Sequence, residues 1–168
     1  MARVIGIDPG IAETGWGIVE LGDDGFRCVA HGCIRTRQDQ PKEMRLKTIY
    51  DSLLKIISQY EPDIMAIEKI FFNANVKTAM SVGQSRGVCM LAAAVSGLKT
   101  YEYNSSAVKN IITGRGRASK KEVARCVCEI LHMDKIPRPY DVTDALAIAL
   151  AHLLKQQQRS SDASASGP

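Results

Sequence analysis

The sequence predicts an α/β protein built on a mixed five-stranded sheet with helices on both of its faces. Three apolar segments joined by tight turns come first, within residues 3–36, and they predict an antiparallel meander. Two further short apolar segments follow, each between stretches whose apolar residues recur at helical spacing. Strands connected through helices in this way add to a sheet in parallel, which makes the predicted sheet mixed.

The predicted strands are read from runs of apolar and β-branched residues. The first three are RVIGID (3–8), TGWGIVEL (14–21) and FRCVAHGCIRT (26–36), with the turn GDDG between the last two. The fourth is DIMAIEKIFF (63–72), and the fifth is LKTYEY (98–103).

The predicted helices alternate with the later strands. A helix from Pro41 should end before Pro62, and a second should run from a cap at Asn73 or Asn75 to about Ser96. A short helix, SSAVKNIIT, follows a cap at Asn104 or Ser105, and Ser119 with Glu122 forms a capping box for the next. The last predicted helix is TDALAIALAHLLK.

Length and composition fit a single globular domain, assigned to residues 1–155 and followed by a polar tail, 156–168, predicted to be disordered. No apolar run approaches the roughly 18 residues that a membrane span requires, so no membrane partner is expected. The first residues lack a basic leader followed by a long apolar stretch, so a cytoplasmic location is expected.

The cysteines indicate reduced thiols more than a disulfide framework, because their number is odd and no secretory signal is evident. A zinc site would need ligands on the expected spacing, yet no C-x-x-C pair occurs. Cys28 and Cys33 should also point to opposite faces of a regular strand. The residues that a zinc site could draw on are Cys28, His31, Cys33, Cys126, Cys128 and His132.

Basic residues are concentrated in one segment, although the net charge of the chain is only +4. Residues 109–125 contain one acid, Glu122, among six basic side chains. Such a cluster predicts a phosphate-binding surface, and a solvated helix face is the alternative. The six are Lys109, Arg115, Arg117, Lys120, Lys121 and Arg125.

Four carboxylates interrupt apolar elements: Asp8 ends the first strand, Glu68 lies within the fourth, and Asp141 and Asp144 open the last helix. Singly, they could be a turn residue, a solvent-facing edge residue, an N-cap and a first-turn acid. Together they should converge if the first and fourth strands are neighbours and the last helix crosses them. Such a cluster predicts two Mg²⁺ ions, with Mn²⁺ as a possible substitute, and phosphodiester hydrolysis.

Four blocks of sequence resemble the RuvC family of bacterial Holliday junction resolvases, within the RNase H-like nuclease superfamily. The blocks are GIDPG with TGWG, AIEKIFF with the NxxxAMSVGQSRG helix, VKNIITGRGRASK, and PRPYDVTDALAIALAH. They occur in the family's order from about Arg3 to His152. The resemblance implies an RNase H-like nuclease domain over residues 1–155.

The resemblance also implies roles for individual residues. Asp8, Glu68, Asp141 and Asp144 match the family's metal-binding acids, and Lys109 and Lys120 match lysines tied to DNA contact and catalysis. Phe71 matches an aromatic residue that stacks on bases at the junction centre, with a core position as the alternative. Lys121 could substitute for Lys120, and Arg115 and Arg117 resemble further backbone contacts by charge alone.

The partners implied by the resemblance are four-way junction DNA, a second copy of the chain and the branch-migration proteins RuvA and RuvB. The glycine stripe of Gly83 and Gly87 fits a helix packed against its twin, or one packed closely on its own sheet. The implied reaction is a pair of symmetric nicks, in recombination and DNA repair. Rival interpretations are another nuclease of the superfamily, such as a YqgF-like enzyme, a non-catalytic junction-binding protein, and a fragment of an actin-like ATPase.

Overall fold

The computed structural model describes residues 2–70 and 76–165, with side-chain surroundings for 2–70 and 79–162. The strands are β1 (Ala2–Asp8), β2 (Glu13–Gly22), β3 (Gly25–Arg35), β4 (Ile64–Glu68) and β5 (Lys99–Tyr103). The helices are α1 (Lys42–Tyr60), α2 (Val76–Val95), α3 (Ser105–Thr113), α4 (Lys120–Ile130) and α5 (Tyr140–Ala165).

The five strands form one mixed sheet in the order β3-β2-β1-β4-β5, as predicted. The meander β1–β2–β3 is antiparallel, whereas β4 pairs in parallel with both β1 and β5. The carboxyl ends of β1, β4 and β5 therefore lie at the same edge of the sheet.

Alternate residues of the central strands enter two separate cores, one on each face of the sheet. Ile5 and Ile7 of β1 are buried in the core that lies under α1 and α2, together with Leu53 of α1. Val4 of β1 is buried in the other core with Leu146 and other side chains of α5. The predicted helices on both faces are thus confirmed.

Helix α5 lies against the sheet so closely that only glycine fits beneath it. A Cβ atom added to Gly6 would lie 1.9 Å from the carbonyl oxygen of Ala145, and one added to Gly15 would lie 2.0 Å from that of Asp141. Real Cβ atoms do not approach backbone atoms to these distances. The glycines of β1 and β2 therefore fix the height and the position of α5 above the strands.

Two boundaries differ from those predicted. Strand β4 is shorter than the segment 63–72, and Glu68 is its last residue instead of lying within it. Helix α5 continues to Ala165, so most of the tail 156–168 predicted to be disordered is helical in the structure. Ser160 and Ser161 donate hydrogen bonds to the carbonyls of Gln156 and Gln157 one turn earlier, at 3.1 and 3.0 Å.

A β-bulge corrects the prediction that Cys28 and Cys33 point to opposite faces. The pairing of β2 with β3 shifts between Ile18 and Val19, so that one residue of β3 is left over. Both cysteines consequently pack against the same core. All five cysteines are free thiols.

The helices of the described residues include none that is both long enough and apolar enough to cross a membrane.

Candidate active site

Asp8 and Glu68 are neighbours at the carboxyl ends of two adjacent parallel strands. Ile7 of β1 is paired with Ile67 of β4, and each acid is the next residue along its strand. The charge of Glu68 acts on Asp8 and helps to raise its pKa. The backbone register of β1 and β4 therefore sets the spacing of this pair.

Helix α5 brings the other two acids to the same place. Asp8 is paired with Gly15 of β2, and the carbonyl of Asp141 sits directly over that glycine. Asp144 follows one turn later on nearly the same helix face. All four acids line one cavity of about 270 Å³, which we call the acidic cavity. The structure thus brings together all four acids singled out in the sequence.

The acidic cavity strongly disfavours the ionised form of Asp8. Burial raises the pKa of Asp8 to about 8, and the nearby charges of Glu68, Asp144 and Asp141 contribute in the same direction. The pKa of Glu68 is also raised, by burial and by Asp144, although its hydrogen bond with Asp8 opposes the shift. Between the ordinary pKa of Asp8, 3.8, and 8, the folded chain binds more protons than the unfolded one. Its stability without a cation therefore falls as the pH rises through this range.

Lys120 supplies a positive charge to the acidic cavity. Its Nζ donates a hydrogen bond of 2.7 Å to Oδ2 of Asp144, which raises the pKa of the lysine. Lys120 is the first residue of α4, whose start is fixed by the capping box of Ser119 and Glu122. Lys121 is exposed and does not line the cavity. Of the two adjacent lysines, it is Lys120 that reaches the acids.

The arrangement suits divalent cations of the Mg²⁺ type. Among the described residues, no three His, Cys, Asp or Glu side chains are grouped so as to hold one ion without rearrangement. The Lys120–Asp144 contact engages one carboxylate oxygen that a metal ion could use. Mg²⁺ typically uses one or two carboxylates and completes its shell with water and substrate phosphate. The acidic cavity is open and offers pairs of carboxylates whose negative charges repel one another. It therefore meets that requirement.

The basic segment is only partly directed at the acidic cavity. Lys109 of α3 lines it, whereas Arg115 and Arg117 lie on the exposed surface beside it. Arg115 is engaged by Glu122, with Nη2 and Oε1 2.5 Å apart. Phe71 lies outside the described residues, as do the predicted caps Asn73 and Asn75.

Arg86 of α2 is a site residue that was not predicted from the sequence. Its Nε donates to the carbonyl oxygen of Glu68 at 3.1 Å, and its Nη2 lies 2.5 Å from Oε2 of Glu102 at the end of β5. The side chain is only 17% exposed. Arg86 thereby ties α2 to the strand ends that carry the acids. Nothing in the sequence of α2 marks Arg86, because the helix also carries the basic residue Lys77 and several polar residues.

Comparison with known proteins identifies the family to which this chain is similar. The family model described as crossover junction endodeoxyribonuclease RuvC matches residues 4–152. The chain is 47% identical to the protein of that name from Caldanaerobacter subterraneus over 150 residues, which cover 89% of this chain and 91% of the relative. It is 43% identical to the one from Desulforamulus reducens over 149 residues, with the same coverage.

A solved structure agrees in fold along nearly the whole chain. Thermus thermophilus RuvC in complex with a Holliday junction substrate superimposes with a TM-score of 0.89 and 34% sequence identity, covering 94% of this chain and 96% of the other. The predicted mixed sheet flanked by helices is thus the fold of these proteins. The chain belongs to the RuvC family of crossover junction endodeoxyribonucleases.

Proposed function

We propose that the chain is a structure-selective endonuclease that resolves Holliday junctions by paired symmetric nicks, in recombination and repair. The observation that carries the proposal is the acidic cavity, where four carboxylates from three elements meet beside Lys109 and Lys120. Membership of the RuvC family supports the choice of substrate, and so does the likeness to a relative solved with junction DNA. A purely junction-binding protein would have no need for partly buried acids that oppose one another.

The cofactor in this proposal is Mg²⁺, two ions in each active site, with Mn²⁺ as a possible substitute. Asp8, Glu68, Asp141 and Asp144 would hold the ions, with Asp8 central because it faces the other three. Two bound ions supply a more acidic water and neutralise charge at the phosphate. The chain itself orients the acids on the strand ends and the first turn of α5, and it partly buries Asp8.

Lys120 and Lys109 would bind the scissile phosphate from the other side of the acidic cavity. Lys120 is 61% exposed although it contacts Asp144, so its ammonium group stands at the cavity mouth where a phosphate oxygen would enter. Arg115, Arg117 and Lys121 would contact neighbouring backbone phosphates, because all three lie on the exposed surface that follows α3. Base stacking by Phe71 is proposed on the family resemblance alone.

A second copy of the chain would place a second acidic cavity on the opposite strand of the junction. Helix α2 exposes apolar side chains along one stripe, with Met80 63%, Leu91 54% and Val95 62% exposed. Gly87 lies on the same stripe, and a Cβ atom there would meet no described atom within 4 Å. Close packing on its own sheet does not account for that glycine, so the stripe is the proposed dimer surface.

Cooperation with RuvA and RuvB in the cytoplasm also belongs to this proposal and rests on the family resemblance. The basic residues of segment 109–125 favour this proposal over a YqgF-like enzyme of the same superfamily.

Replacing Asp8 with asparagine tests the function directly. The variant keeps the shape of the side chain and removes the charge that faces the other three acids. We expect cleavage of a synthetic four-way junction in Mg²⁺ to fall by more than the 10–100-fold typical of residues that only support metal ligands. Wild-type protein should cut the junction and leave a linear duplex of equal length intact, and EDTA should abolish cutting. Equal cutting of both DNAs by the wild type would contradict the resolvase proposal.

The adjacent residues Lys120 and Lys121 allow a matched pair of variants that tests the phosphate contact. With saturating junction, Lys120→Gln should lower the single-turnover cleavage rate by about a hundredfold, the effect of losing one charge-stabilising donor. Lys121→Gln removes the same charge one residue away and should leave that rate within about threefold, because Lys121 does not line the acidic cavity. Equal losses in both variants would show that general charge, and not position, accounts for the effect.

Charge placed on the α2 stripe tests the dimer. Leu91→Glu should convert the wild-type dimer to a monomer in sedimentation velocity, because a carboxylate would be buried between two copies. Met44→Glu adds the same charge at a methionine of α1 that is 47% exposed, and it should leave the dimer intact. A wild-type chain that sediments as a monomer at micromolar concentration would contradict the proposed surface.

A further inference from the structure

A second cavity of about 370 Å³ lies beside the acidic cavity, further along α5 and over the edge strand β5. Its lining includes Lys69 after β4, Tyr103 at the end of β5, Asn104 at the start of α3, and His152 and Lys155 on α5. None of its lining residues also lines the acidic cavity. Because α3 and α5 contribute to both, the two cavities are neighbours on one surface. We call this second cavity the basic cavity.

The basic cavity contains polar groups with no partner inside the protein. In the described part of the chain, the buried side-chain atoms that lack a hydrogen-bond partner are Oδ1 of Asn104 and Nε2 of His152. Both residues line this cavity, and His152 is only 2% exposed. Buried polar atoms are rarely left unpaired in native proteins, so the pair of them indicates an absent ligand or water.

The hydrogen-bonding pattern favours a ligand that accepts hydrogen bonds. Nδ1 of His152 lies 2.8 Å from the hydroxyl of Tyr103. When that hydroxyl donates, Nε2 carries the imidazole proton and becomes a donor. Asn104 precedes α3 without capping it, and turning its side-chain amide over would place the donor Nδ2 where the unpartnered acceptor Oδ1 now lies. The start of a helix with no side-chain cap adds backbone donors directed outward.

The charges around the basic cavity also favour a negatively charged ligand. Lys69, Lys155 and Arg159 contribute positive charge to its lining. Burial lowers the pKa of His152, and the charges of Lys155 and Arg159 lower it further, so both cations face the ring. The one acid in the lining, Glu102, is already engaged by Arg86 at 2.5 Å. The cavity therefore combines a buried donor, Nε2 of His152, with three positively charged side chains and one acid that is already paired.

We propose that the basic cavity is a second phosphate-binding site, which takes a backbone phosphate of the DNA strand whose scissile phosphate lies in the acidic cavity. His152 follows Asp144 by eight residues on α5, which places the two sites about 12 Å apart along the helix axis. A DNA strand that runs along α5 would meet both. The inference rests on the proposed function, because it assigns a further contact with the same substrate.

Salt dependence of junction binding tests the site. Each phosphate contact that is lost reduces the slope of log K against log salt by about one. The double variant Lys155→Gln/Arg159→Gln removes two exposed charges of the cavity and should reduce the slope by about one in EDTA, where no cleavage occurs. The single variant Lys55→Gln on α1, whose exposed lysine lies on the other side of the sheet, should leave the slope unchanged.

A second measurement reports on binding in the basic cavity directly. Inorganic phosphate at millimolar concentration should shift the imidazole ¹⁵N signals of His152 in the wild type and not in the double variant. A junction oligonucleotide should produce the same shift at far lower concentration. An unchanged salt slope in the double variant overturns the proposal, even if free phosphate still shifts His152, because the site then binds a free anion only.

Failure of the site can be told apart from failure of the proposed function. Cleavage of the junction by wild-type protein in Mg²⁺ depends on the acidic cavity and is measured without the variants. If wild-type protein cuts the junction and the double variant keeps the wild-type slope, only the proposal of phosphate binding in the basic cavity is refuted. If wild-type protein neither binds nor cuts the junction, both proposals fall together.

Discussion

The contact on which the site depends is the packing of the α5 backbone onto the glycines of β1 and β2. Side chains normally separate packed elements, as in stacked sheets that lie about 10 Å apart, and here Gly6 and Gly15 remove that spacer. The first turn of α5 consequently lies directly over the strand ends, with the carbonyl of Asp141 above Gly15. The convergence of the acids is thus a result of backbone packing, fixed by residues that carry no functional group.

This packing holds four carboxylates close together, and the rest of the fold must supply the free energy that offsets their repulsion. Asp8 is partly buried and held among three other acids, and its pKa is raised to about 8 as a result. Two apolar cores, one on each face of the sheet, supply the stability that tolerates it. A site that is unfavourable without its cation is a common cost of function in enzymes. Lys120 relieves part of the conflict through Asp144.

Much of the fold could be predicted because it follows local rules. Strand alternation gave β1, β2 and β3, and the capping box gave the start of α4 at Lys120. The acids could be predicted to converge because their elements were identified correctly and adjacent strands share an edge. Glu68 was placed inside a longer strand, yet it lies at the expected edge of the sheet.

The features that could not be predicted depend on contacts between elements distant in sequence. Arg86 is significant only because α2 crosses the end of β4, where its guanidinium meets the carbonyl of Glu68. The bulge of β3 has no marker in the segment FRCVAHGCIRT, and it reverses the inferred direction of Cys28. The burial of His152 and its contact with Tyr103 arise only because α5 and β5, which are distant in the sequence, pack together.

The most direct measurement of the central claim is the thermal stability of the wild type and Asp8→Asn, at pH 8, with EDTA and with Mg²⁺. In EDTA the variant should melt at the higher temperature, because asparagine removes a carboxylate whose ionisation the fold opposes. Mg²⁺ should then raise the melting temperature of the wild type, as any ligand of the folded state does, and leave the variant nearly unchanged. A wild type that is more stable than the variant in EDTA, or an equal response of both to Mg²⁺, would contradict a cation site centred on Asp8.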